Sequence, residues 1–91
     1  MVEEVERYIR ELARFARIVQ PARVRVLLAI YKGAETYTEI ERASRAASAT
    51  VLSALSVLQN EGAVVKEGNK YKITEYGRKV AEAVLSVVGD I

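Results

Sequence analysis

Lys66, Lys70 and Lys72, with Tyr71 set among them, and Arg42 and Arg45 further upstream are the side chains whose type and spacing point to a chemistry. That chemistry is the binding of phosphate-bearing anions, because ammonium and guanidinium groups pair with phosphate oxygens and release the counterions held there. Other chemistries are poorly served. The 91 residues include neither cysteine nor histidine, which removes thiolate and imidazole metal ligands, disulfides, the cysteine nucleophile and the commonest general base. The acids are scattered beside Arg or Lys, as on solvated ion-pair surfaces. We therefore expect no metal, no cofactor and no enzymatic activity.

The formal charge of +2 decides little, but its distribution does. Residues 1–41 balance seven bases with seven acids, whereas residues 42–79 set seven bases against Glu61, Glu67 and Glu75. A basic excess confined to the middle of the chain fits the footprint of a nucleic-acid partner and, on charge alone, fits an ordinary solvated surface equally well. A hydrophobic share of 51% and a charged share of 29% fit a single small soluble domain. No apolar run approaches the roughly 18 residues of a membrane span. The acidic start, Met1-Val2-Glu3-Glu4, does not read as a secretory signal, so a cytoplasmic location is expected, with no membrane partner.

The elements that must position these cations follow from caps and periods. Val2, Val5, Ile9, Leu12, Ala16 and Val19 recur at helical spacing, with Tyr8 and Phe15 widening the stripe. Arg7, Arg10, Arg14 and Arg17 lie on another face, where Glu3, Glu6 and Glu11 are spaced to pair with them. Pro21 stops this helix and opens a second, which ends at Gly33. An extended Thr36-Tyr37-Thr38 precedes a short helix over 39–44, with Thr38 as its cap. A helix from about Ala49 to Asn60 has Ser48 as N-cap, buries Val51, Ala54, Leu55 and Leu58, and stops at Gly62. Residues 63–66 and 70–74 alternate as two strands about a Gly-Asn turn, a hairpin with its basic residues on one face. A last helix carries Val80, Ala81, Val84, Leu85 and Val88.

This order, with the residues Ala49-Thr50-Val51, Leu55, Leu58, Glu61-Gly62-Ala63-Val64-Val65 and Tyr71-Lys72-Ile73-Thr74-Glu75-Tyr76-Gly77-Arg78, resembles the winged helix-turn-helix transcription factors of the ArsR and MarR types. The resemblance covers about residues 21–88. Residues 1–20 lie outside it: that amphipathic helix and the C-terminal helix together carry more apolar surface than one small core buries, and both are expected to serve dimerisation. The resemblance itself implies an α+β, mostly α fold, a three-helix core and β-hairpin wing in residues 21–91. It further implies a homodimeric regulator of double-stranded DNA, its recognition helix in the major groove and its wing on the backbone or minor groove. Ser48, Thr50, Leu52, Ser53, Ser56 and Gln59 would then face the bases, while Arg42, Arg45, Lys66, Asn69, Lys70 and Lys72 would hold the backbone. Val5, Tyr8, Ile9, Leu12, Phe15, Val84, Leu85 and Val88 would form the dimer contact.

Two departures from the pattern matter. The outward face of the recognition helix has no Arg or Lys, the residues that most often read guanine. The ligands with which many ArsR-type proteins sense metals are missing, so metal sensing does not carry over. The alternative is a winged-helix interaction module within a larger assembly. These residues name no small-molecule effector.

Overall fold

The computed structural model describes residues 1–89, arranged as five helices and a two-stranded antiparallel hairpin. Helix α1 spans Val2–Ile18 and α2 spans Pro21–Tyr31, with Pro21 in the first turn, where a missing N–H leaves no intrahelical bond unmade. Helix α3 covers Tyr37–Ser44 and α4 Ser48–Asn60. The hairpin pairs β1, Val64–Glu67, with β2, Lys70–Ile73, and α5, Glu75–Val87, follows.

Two caps differ from the sequence expectation. Helix α3 is capped by Thr36, whose hydroxyl accepts from the Glu39 N–H at 3.2 Å while the Glu39 carboxylate accepts from the Thr36 N–H at 3.2 Å. This reciprocal box satisfies two donors at once and draws Tyr37 and Thr38 into the helix. At the start of α4 the N-cap backbone belongs to Ala47; Ser48 is already helical, and its hydroxyl donates to the Glu41 carboxylate instead.

The core gathers Val26, Leu27 and Ile30 of α2, Ile40 of α3, Val51, Leu55 and Leu58 of α4, Val64 and Tyr71 of the hairpin, and Val80 of α5. Each such side chain contributes about 1.5–3 kcal/mol on burial. Ile18, at the end of α1, is fully buried among them, but every residue from Met1 to Ala13 is exposed. Helix α1 therefore joins the body only through its last turns, and the molecule is elongated, at 46 × 29 × 21 Å.

The hairpin is held at both sides. Thr74 caps α5 through the Gly77 N–H at 3.0 Å, and its own hydroxyl donates to the Gly62 carbonyl at 2.6 Å. A Cβ on Gly77 would stand 2.0 Å from the Ala63 carbonyl oxygen, so only glycine allows α5 to start this close to β1. On the other side the Tyr71 N–H donates to the Glu35 carbonyl at 2.7 Å, and Thr36 forms a bridge with Lys70. Residues 35–36 thereby act as a third, very short strand beside β2.

Candidate nucleic-acid interface

Helices α3 and α4 meet at the turn 45–47. Arg45 closes α3 in the left-handed conformation, φ +56°, a region where a side chain crowds the following carbonyl. The turn delivers α4 with Val51, Ala54, Leu55 and Leu58 buried and Ser48, Leu52, Ser53, Ser56 and Gln59 exposed. Thr50 is half-buried at the edge of the exposed strip. It lines, with Ser53, an open groove of about 540 Å³ whose other wall is Gln20, Pro21, Ala22 and Arg23 at the start of α2. No residue of α4 is charged, and Leu52 is 57% exposed near its middle.

Ser48 is less free than its exposure implies. Its hydroxyl donates to Glu41, and its carbonyl accepts from the Tyr37 hydroxyl at 3.1 Å. Both contacts cross the helix-turn-helix and fix the angle between α3 and α4. Arg42 and Arg45 are exposed, and neither makes an ion pair among the described residues.

The hairpin corrects one expectation. Its register pairs Lys66 with Tyr71, Glu67 with Lys70 and Val65 with Lys72. Because cross-strand partners share a face and neighbours along a strand alternate, Lys66 lies on the face of Tyr71, opposite Lys70 and Lys72. The basic residues are thus divided between the two faces. Lys66 has its ammonium 5.5 Å from the centroid of the Tyr71 ring and no carboxylate partner among the described residues. Lys72 donates to the Glu35 carboxylate at 2.5 Å, and Lys70 approaches the other oxygen at 3.7 Å. The Lys72 hydrogen bond holds the Glu35 carboxyl below its ordinary range and raises the Lys72 ammonium in turn. Asn69 is exposed in the loop, beside Gly68 at φ +64°.

Of the side chains expected at a dimer contact, Val5, Tyr8, Ile9, Leu12 and Val88 are more than half exposed, as are Val2 and Val87. Phe15 packs half-buried against the core, Val84 is half-buried, and Leu85 is 6% exposed within its own chain.

Sequence reasoning missed Glu35, which no local spacing connects to residues 70 and 72; only the strand pairing brings them together. It also placed Arg14 and Arg17 on a solvated face beside the acids of α1. In the structure Arg17 pairs with the Glu61 carboxylate at 2.8 and 3.1 Å, and Arg14 donates twice to the Glu61 carbonyl. Arg17 keeps the Glu61 carboxyl below its usual range.

This arrangement of three packed helices, a helix-turn-helix and a two-stranded hairpin extended by residues 35–36 is similar to the crystal structure of the transcriptional repressor BigR from Xylella fastidiosa. The TM-score is 0.81 over 96% of this chain and 92% of that one, at 22% sequence identity. The fold is a winged helix-turn-helix. The hairpin is the wing, and α4 is the second helix of the helix-turn-helix. No protein-family model matches the chain, and no curated protein matches it in sequence. Among the described residues no helix is long and apolar enough to cross a membrane, and no cluster of acids could hold a metal ion.

Proposed function

We propose that this chain is a transcriptional regulator that binds double-stranded DNA as a homodimer. In this reading α4 lies in the major groove, and the wing rests on the backbone or in the adjacent minor groove. The observation that carries it is the neutral, exposed edge of α4, flanked along the chain by two groups of cations. Arg42 in the last turn of α3 and Arg45 in the turn, neither in an ion pair among the described residues, precede it, and the lysines of the wing follow it. The fold likeness to a transcriptional repressor supports the same reading.

The division of labour follows from residue chemistry. Arg42, Arg45, Lys66, Lys70 and Lys72 supply phosphate contacts and most of the affinity, with Asn69 beside them at the wing tip. Leu52 offers an apolar contact to thymine methyls, and Ser53, Ser56 and Gln59 offer hydrogen bonds to base edges. With no guanidinium on α4, discrimination rests on groove shape and on these short side chains. The exposed apolar strip of α1, with Val87 and Val88, supports a second copy as the partner of that helix.

Leu52, 57% exposed in an uncharged helix, favours a second reading in which α4 docks on a protein. Mobility shift against random duplex, at low and at moderate salt, separates the two. Retardation that weakens steeply with salt supports the regulator, and no retardation even at low salt overturns it. Selection from a random DNA pool then reports the half-site spacing that a dimer imposes.

A further inference from the structure

Resting on the DNA-binding reading, we infer that Glu35 is an internal competitor for DNA phosphate, which restrains the wing by occupying Lys70 and Lys72. The two lysines stand two residues apart on one strand and so present their ammonium groups on the same face. Glu35 is held beside them by backbone pairing and not by a flexible loop. Its carbonyl accepts the Tyr71 N–H at 2.7 Å, and the next residue, Thr36, bridges Lys70. Its two carboxylate oxygens then divide between the two ammonium groups, at 2.5 and 3.7 Å.

A carboxylate and a phosphate oxygen are the same kind of acceptor for an ammonium group. Each ammonium has three N–H donors, so a phosphate that reaches Lys70 or Lys72 must either share it with the Glu35 carboxylate, whose negative charge repels it, or displace that carboxylate. The pairs are partly exposed, with side chains 38–51% accessible, so the exchange is open to solvent and readily reversible. Lys66, Arg42 and Arg45 have no such acceptor among the described residues. The cations therefore fall into two sets: three with no carboxylate beside them among the described residues, and two whose hold on a phosphate is weakened by Glu35. Glu35 thus lowers the general affinity of the wing for duplex.

The test is an anisotropy titration of the full chain against a labelled random duplex, at salt between about 50 and 200 mM. Glu35→Gln should bind roughly three- to tenfold more tightly than the parent at the low-salt end, with the gain shrinking as salt rises. The gain should vanish when Lys70→Ala and Lys72→Ala are added. Glu3→Gln, which removes an equal charge from an exposed position on α1, should show almost none of it. Equal affinity of Glu35→Gln and parent overturns the inference, as does a gain that survives loss of both lysines or is matched by Glu3→Gln. Should Glu35→Gln fail to fold by circular dichroism, Glu35→Thr, whose branched side chain suits a strand, carries the same expectation. A parent chain that binds no duplex overturns the DNA reading and this inference with it, whereas a parent that binds as well as Glu35→Gln overturns the inference alone.

Discussion

The guanidinium carbon of Arg14 lies 3.6 Å from the centroid of the Tyr76 ring, and the same group donates from Nε and Nη2 to the Glu61 carbonyl at 3.1 and 2.6 Å. One side chain of α1 thus binds the end of α4 to the first turn of α5. Arg14→Ala should lower stability by about 1–2 kcal/mol through the lost stacking and hydrogen bonds. Arg14→Lys should recover less than half of that, because an ammonium has neither the planar fork nor the stacking surface. Urea unfolding midpoints of the three proteins measure both effects.

Gly62 is the floor on which that guanidinium rests. A Cβ there would stand 2.9 Å from Arg14 Nη2, and the backbone has φ +77°. Gly68 has a similar φ of +64° with nothing within 4 Å. Gly68→Ala should therefore report the backbone strain alone, about 1 kcal/mol. Gly62→Ala should exceed it, and the excess should fall when Arg14 is also Ala. A thermodynamic cycle of the single and double variants tests this coupling.

Acid should weaken the fold through three carboxylates. Lys72 holds Glu35 below the ordinary value of 4.5, the N–H groups of residues 35 and 36 do the same for Glu39, and Arg17 does so for Glu61. A carboxyl whose folded pKa is depressed contributes fully above its unfolded pKa, and that contribution is lost as pH falls through the folded value. Stability should accordingly be level from neutral pH down to about pH 5 and decline below 4.5. Glu61→Gln should start lower at neutral pH and decline less steeply. Unfolding midpoints across that range, with identical slopes for variant and parent, would show that Glu61 is not a contributor.

Arg45 sits where glycine is at ease. Arg45→Gly should stabilise the fold by about 0.5–1 kcal/mol by removing left-handed strain from a side-chain-bearing residue. The same change should weaken binding to duplex and reduce the log–log salt slope by about 0.9, the loss of one phosphate contact. A more stable variant with unchanged DNA affinity would leave the turn conformation unexplained by DNA contact.

Ile9 and Leu12 are 53% and 65% exposed in the single chain, so a charge at either position disturbs no core of its own. If α1 joins a second copy, Leu12→Glu should convert a dimer to a monomer with unchanged helical content. Sedimentation equilibrium alongside far-ultraviolet circular dichroism decides it, and a parent chain that sediments as a monomer refutes the dimer.

How much of this was legible depends on the distance over which each signal acts. The hydrophobic period of α4 named all four of its buried residues, because helix spacing alone decides which face turns inward. The cap of α3 was ambiguous from sequence: Thr36 with Glu39 and Thr38 with Glu41 have the same box spacing. The first is used because it leaves Glu35 and Thr36 extended against β2, a fact of tertiary pairing. The wing was readable as a hairpin, but a strand starting one residue later than expected reverses which face Lys66 occupies relative to Lys70 and Lys72. The partners of Arg14, Arg17, Lys70 and Lys72 lie 35 to 47 residues away in sequence and leave no periodic trace.

The attachment of α1 only through its C-terminal turns bears on time as well as on shape. In a lone chain the amide protons of its first three turns are guarded by little beyond helix propensity, which is marginal for a segment this short. They should exchange with deuterated solvent almost as fast as an unfolded peptide, while those of α2 and α4 persist until the whole domain opens. Any partner that settles on the exposed strip slows that clock, so the lifetime of these few amides becomes a direct gauge of how long the partner stays.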